Sequence, residues 1–489
     1  MKRLAGVLAP ISCLPSRFGI GDFGEKSFEF VDLLSESGFH LWQILPLNPL
    51  GYGHSPYQPF SSYAIDEIYS DLDSLFKKGL ISKAPSFREK EERVDYELIR
   101  SFKGPYLKEA FQAALKKNPH DIDDFVLTHP WVKNWAIFMS MKRSENNASW
   151  NDWPIEKINK INAGYEHLSS DEKEAADYEI WLQKNLYEEW FALKEYANSK
   201  GIRIVGDLPF YCGYDSCDVY EAQDEFLLDE NRFPAWVAGV PPDYFSKTGQ
   251  RWGNPIYNWE ELKKNNYSLL LNRIKNSASL YDIVRLDHFR AFDTYWKIKA
   301  SCDTAIEGSW VEAPGYDFFN RLFLEAPNIT LLAEDLGELR PEVYELRDHY
   351  NFPGMNVIQF TFLDSELRRV GQFKKENLVA YLGTHDNDTM KGFYVSLSEK
   401  ERGLYEEILE TIGFKEGDFV DKMIEYELSL PAKYALLPLQ DILKLGSDSR
   451  LNTPGFINTI NWTWRICDFD ATKNRFLVML PLLKKYQRL

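Results

Sequence analysis

The sequence predicts an α/β protein, a (β/α)8 TIM barrel with large insertions after its second and third strands. Three observations carry this. Eight short, almost continuously apolar runs recur along the 489 residues, as expected of parallel strands covered on both faces. Amphipathic helical patterns lie between them. Four of the eight runs are followed by an acidic residue, and in such barrels functional groups gather at the C-terminal ends of the strands. A doubly wound open sheet is the structural alternative; the count of eight favours the barrel.

The runs are Leu4–Ala9, Leu41–Leu45, Ile202–Gly206, Ile283–Leu286, Thr330–Ala333, Asn356–Phe360, Leu378–Tyr381 and Tyr434–Leu437. The first follows Met1-Lys2-Arg3 and resembles the start of a secretion signal. Pro10 interrupts it early, so it reads as a buried strand. Phe28, Val31 and Leu34 share one helical face before Gly38, and Leu182, Leu186, Trp190, Leu193 and Ala197 share another before Gly201; glycine ends a helix in the left-handed conformation. A plain barrel needs about 250 residues. The surplus falls at about 48–200 and 209–280, which are expected to be subdomains inserted into one catalytic barrel spanning 1–489.

Composition removes several classes. A formal charge of −17 opposes nucleic-acid binding, which depends on Lys and Arg to displace counterions, and opposes anionic membranes. No apolar run approaches the ~20 residues of a membrane span. Five cysteines without a CxxC pair fit reduced thiols in a cytoplasmic protein. No protein partner is evident. An aromatic content of 15% leaves rings beyond the needs of a core for stacking on sugars.

The acids are Asp207 after the third run, Asp287 after the fourth, Glu334 and Asp335 after the fifth, and Asp386 after the seventh. A lone acid after a strand is usually a helix cap; acids after four strands of one barrel are more than that. No phosphate-binding glycine loop, HExxH or GxSxG occurs. His288 beside Asp287 and His385 beside Asp386 are poor chelates, because neighbours on an extended segment point to opposite sides. Neither a metal nor a cofactor is expected. Carboxylates with Arg, His, Tyr and Trp suit glycosidic-bond chemistry, in which one carboxylic acid protonates the leaving oxygen and, in retaining enzymes, a second carboxylate attacks the sugar carbon.

At these motifs the chain resembles the amylomaltase family of 4-α-glucanotransferases. The markers are Leu41-Trp42-Gln43-Ile44-Leu45-Pro46-Leu47, Ser55-Pro56-Tyr57, Pro241-Pro242-Asp243-Tyr244-Phe245, Gly249-Gln250-Arg251-Trp252-Gly253-Asn254-Pro255, Arg285-Leu286-Asp287-His288-Phe289-Arg290, Ala333-Glu334-Asp335-Leu336-Gly337 and Gly383-Thr384-His385-Asp386-Asn387. The resemblance implies transfer of an α-1,4-glucan segment between maltooligosaccharides or soluble glucan, with Asp287 as nucleophile, Glu334 as general acid/base and Asp386 as transition-state stabiliser. It implies sugar contacts from Tyr57, Asp207, Tyr244, Phe245, Trp252, His288, His385 and Asn461. Arg285, two positions before Asp287 on the same side of a strand, would keep that acid ionised. An α-amylase-type hydrolase and a non-catalytic glucan-binding protein are the alternatives.

Overall fold

The computed structural model describes residues 2–87, 93–242, 246–337, 339–363, 376–456 and 458–489. Its strands are β1 (Leu4–Leu8), β2 (Leu41–Gln43), β3 (Arg203–Leu208), β4 (Trp236–Val240), β5 (Gln250–Pro255), β6 (Ile283–Leu286), β7 (Thr294–Lys299), β8 (Gly308–Glu312), β9 (Leu331–Ala333), β10 (Gly354–Val357), β11 (Leu378–Tyr381) and β12 (Tyr434–Pro438). Eight form one sheet in the order β10-β11-β12-β1-β2-β3-β6-β9, every registered pair parallel. All eight predicted runs supply these strands, and the (β/α)8 barrel is the fold.

Closure of the barrel is local and chemical. The two ends of the sheet, β9 and β10, meet where the Ala333 N–H donates to the Pro353 carbonyl at 3.0 Å and the Met355 N–H donates to Asp335 Oδ1 at 2.6 Å. Asp335 is also ion-paired with the buried Arg347. Gly354 leaves room for this clasp: a Cβ there would lie 2.5 Å from Asp335 Oδ2. One of the two acids predicted after the fifth strand is therefore spent on the seam.

The helical faces read from the sequence pack inward, with Phe28 half-buried and the others buried. Val31 and Leu34 lie inside on the helix Glu25–Glu36. Leu182, Leu186, Trp190, Leu193 and Ala197 line the buried face of the 30-residue helix Ser170–Ser199. Gly38 and Gly201, just past those helices, have φ of 83° and 79°, where a side chain would be strained. None of the described helices is long and apolar enough to cross a membrane.

Two features depart from the expected elements. The sixth run is expected at Asn356–Phe360, but the strand is Gly354–Val357 and Ile358–Phe360 turns as a 3-10 helix; its apolar Ile358 and Phe360 make turn and strand look alike in sequence. A second sheet, antiparallel and ordered β5-β4-β7-β8, stands beside the mouth. Its β7 and β8 fall between β6 and β9, after the fourth barrel strand.

Candidate active site

The predicted residues converge at the C-terminal end of the barrel, and strand register explains how. Asp207 of β3 is the direct cross-strand partner of Arg285 of β6. Arg285 Nη1 lies 2.7 and 2.8 Å from the two Asp207 oxygens and 2.9 Å from Asp287 Oδ1. The Asp207 side chain has no exposed surface, whereas 28% of the Asp287 side chain faces the cleft. One guanidinium thus joins a buried acid to an accessible one.

Tyr57, in the loop after β2, closes the other side of Asp207. Its hydroxyl donates to Asp207 Oδ2 at 2.7 Å and lies 3.3 Å from His385 Nδ1. Its ring stacks on His385 with centroids 4.9 Å apart and 20° between planes. His385 Nε2 in turn lies 3.4 Å from Asp386 Oδ2. Burial alone would lower the His385 pKa, but Asp386 outweighs it and the net movement is upward. The Tyr57 proton goes to Asp207, which leaves the Tyr57 oxygen free to accept from a His385 Nδ1–H.

Glu334 has a different setting. The His288 N–H donates to its Oε2 at 2.8 Å and the Leu336 N–H to its Oε1 at 3.2 Å. His288 itself has φ of 49°, a region that non-glycine residues seldom occupy and that concentrates at functional sites. The His288 ring packs edge-on to Trp252 at 4.8 Å. Among the described residues its buried Nε2 has no hydrogen-bond partner.

These surroundings separate the acids electrostatically. Burial pushes Asp287 up to about 6, opposed by Arg285 and reinforced by Asp207. Burial pushes Glu334 further, to about 7; Arg285 pulls it down, and Asp287 and Asp335 push it up. Among the described residues Asp287 touches a guanidinium and Glu334 backbone N–H groups, which favours Asp287 as the ionised partner. Asp386 moves the other way: burial raises it, but His385 and the Asn452 amide more than offset that and hold it at about 2. Burial, helped by the nearby Arg290 charge, takes His288 down to about 3, leaving a neutral ring.

Several neighbours were not legible in the sequence. Asn452 donates to Asp386 Oδ1 at 2.6 Å, and Arg450 holds the Asp386 carbonyl at 2.6 Å. Trp462 packs 5.9 Å from both Tyr57 and His385. Gln58 donates to the Trp252 carbonyl at 3.0 Å, tying two loops of the mouth together. Asn461 uses its amide within its own loop, donating to the Phe456 carbonyl and accepting from the Thr453 N–H; the adjacent Trp462 is what reaches the cluster. Tyr244 and Phe245 lie outside the described residues.

A family model described as 4-alpha-glucanotransferase matches residues 9–470. The chain belongs to the 4-alpha-glucanotransferase family. Curated 4-alpha-glucanotransferases from Thermus thermophilus and Aquifex aeolicus are 38% and 37% identical to it, covering 95% and 98% of this chain and the same shares of their own. The solved amylomaltase from Streptococcus agalactiae, crystallised with acarbose, superposes with a TM-score of 0.94 at 34% identity over the full length of both chains. The Corynebacterium glutamicum amylomaltase shares the fold, with a TM-score of 0.77 at 16% identity over all of this chain and 75% of its own. The amylomaltase resemblance read from the motifs is borne out.

Proposed function

We propose that this 4-α-glucanotransferase works by a retaining, two-step exchange at the mouth of the barrel. Asp287, ionised beside Arg285, attacks the sugar carbon while Glu334 gives its proton to the leaving oxygen. The 4-hydroxyl of an acceptor glucose or glucan then returns its proton to Glu334 as it displaces Asp287. Asp386, ionised beside His385, holds sugar hydroxyls and stabilises the oxocarbenium-like charge. His288 Nε2, buried and unpaired among the described residues, suits a further sugar hydroxyl. Tyr57 supplies a ring against the sugar donating the segment, and Trp252 one against the acceptor.

The observation that carries this reading is the unlike setting of two carboxyls at one mouth. One rests on a guanidinium; the other rests on backbone N–H groups and is held more protonated. Two carboxyls in settings this unlike can divide the work of nucleophile and acid. The substrates are maltooligosaccharides and soluble α-1,4-glucans of the starch and glycogen type. Five free cysteines support a cytoplasmic setting.

The test is incubation of the pure protein with maltotriose. Glucose and a ladder of longer sugars should form while total reducing ends stay constant. A steady climb in reducing ends without longer products would make water the acceptor and the protein a hydrolase.

A further inference from the structure

A general acid protonates the oxygen of the departing sugar, so the acceptor side of the cleft is the side on which Glu334 stands. The antiparallel sheet flanks that side, with Trp252 on its β5 edge packed against His288. Its opposite edge, β8, carries a second tryptophan. Trp310 is 41% exposed, unusual for the most costly apolar ring to leave in water. It is nevertheless fixed. The Arg290 guanidinium carbon lies 3.9 Å from its ring centroid, and Trp296, its cross-strand partner, packs edge-on at 5.1 Å.

Arg290 follows Asp287 by three residues and is close enough to Glu334 to feel its charge. Arg340, from the loop after β9, forks onto Asp293 at 2.6 and 2.8 Å and approaches Glu312 at 3.6 Å. The strand bearing Trp310 is thereby tied to the loop bearing Glu334. A flat ring, immobilised by a cation and a neighbouring indole, keeps open surface beside Arg290, in the loop that follows Asp287. The C–H faces of glucose units stack on such surfaces.

We propose that Trp310 is a stacking platform for an α-1,4-glucan acceptor, engaging units beyond those held at Trp252 and so favouring long acceptors over glucose. This rests on the transferase reading above. The alternative is a tryptophan that only staples β8 to Arg290.

The experiment uses the full chain with a maltotriosyl fluoride donor blocked at its terminal 4-hydroxyl, so that it cannot itself accept. Fluoride release is followed against acceptors of one, three and six glucose units. In the wild type the acceptor KM should fall with length. W310L, which keeps an apolar side chain for sheet packing, should raise the KM of the six-unit acceptor about fivefold and that of glucose less than twofold; W310F, which keeps a ring, should retain most of the length preference. Equal changes for all acceptors, or none, in W310L would overturn the proposal. A wild type that passes nothing to any sugar acceptor would instead overturn the transferase reading beneath it.

Discussion

Arg285 contacts two carboxylates, and its replacement should move the pH dependence of the reaction in a defined direction. With Asp287 at about 6 and Glu334 at about 7, the productive state has Asp287 ionised and Glu334 protonated. Treated as independent groups, roughly 60% of molecules are in that state near pH 6.5. Activity falls below that pH as Asp287 gains a proton and above it as Glu334 loses one. Losing an opposite charge in direct contact raises a carboxyl pKa by about 1–3. Arg285 also pulls Glu334 down, so both acids rise in Arg285→Gln; a rise of Asp287 ~2 larger than that of Glu334 would carry it past Glu334 and cut the productive fraction to roughly 6%, about a tenfold loss at the optimum. With the order reversed, the acid limb reports the lower of the two values, so it should move from about pH 6 to ~7 or above. Stability should also drop, by about 3–5 kcal/mol, because Asp207 is left buried without its cation. Arg285→Lys, with one point charge for two partners, should fall between. Initial rates of glucose release from maltotriose across pH 4.5–9 read the limb, with circular dichroism checking that the variant is folded. An acid limb that stays in place in a folded Arg285→Gln protein would refute the argument and reduce Arg285 to a structural clasp.

Glu334 should cost the protein stability. Its folded pKa of about 7 lies above the 4.5 of a free glutamate, so the folded state binds the proton more tightly. The penalty is absent below ~pH 4 and grows as pH rises through 7, to about 3 kcal/mol. Glu334→Gln should therefore lose transfer yet resist urea better than the wild type at pH 8, with the two midpoints coinciding at pH 4; coinciding midpoints at pH 8 would contradict this. Tyr57→Phe keeps the ring on His385 but removes the hydrogen bond to Asp207, and should lower kcat/KM about five- to tenfold; an unchanged value would leave stacking as the sole role of Tyr57. Gly354→Ala puts a methyl within 2.5 Å of Asp335 Oδ2 and 2.7 Å of Arg347 Nη1. It should destabilise the fold by about 1–3 kcal/mol, read as a shift in the urea midpoint, and a wild-type midpoint would mean that the seam yields freely.

The barrel was readable because its strands are buried on both faces, and burial writes itself into sequence as uninterrupted apolar runs such as Ile283–Leu286. The acids were readable because each follows such a run. Which acid of the Glu334-Asp335 pair faces the cleft was not, since that depends on Arg347 and the Met355 N–H arriving from the next helix and strand. Asn452 and Trp462 reach the site from a loop 66 residues or more beyond Asp386 in the case of Asn452, a distance no local pattern spans. The antiparallel sheet was missed for a different reason. Strand β8 is exposed at four of its five positions, so it has neither an apolar run nor a clean alternation, and it is a strand because β7 pairs with it.

The seam between β9 and β10 sets where this barrel should breathe. Its closure relies on a carboxylate and a glycine where the other neighbours share a ladder, so local opening there should need less free energy than at β1, which is paired on both sides. In hydrogen–deuterium exchange the amides of Ala333 and Met355 should label before those of Val7 or Leu8. Glu334 is covalently next to that seam. Warming or dilute denaturant should then disarm the proton donor while most of the sheet is still intact, making catalytic output an early reporter of a slackening barrel.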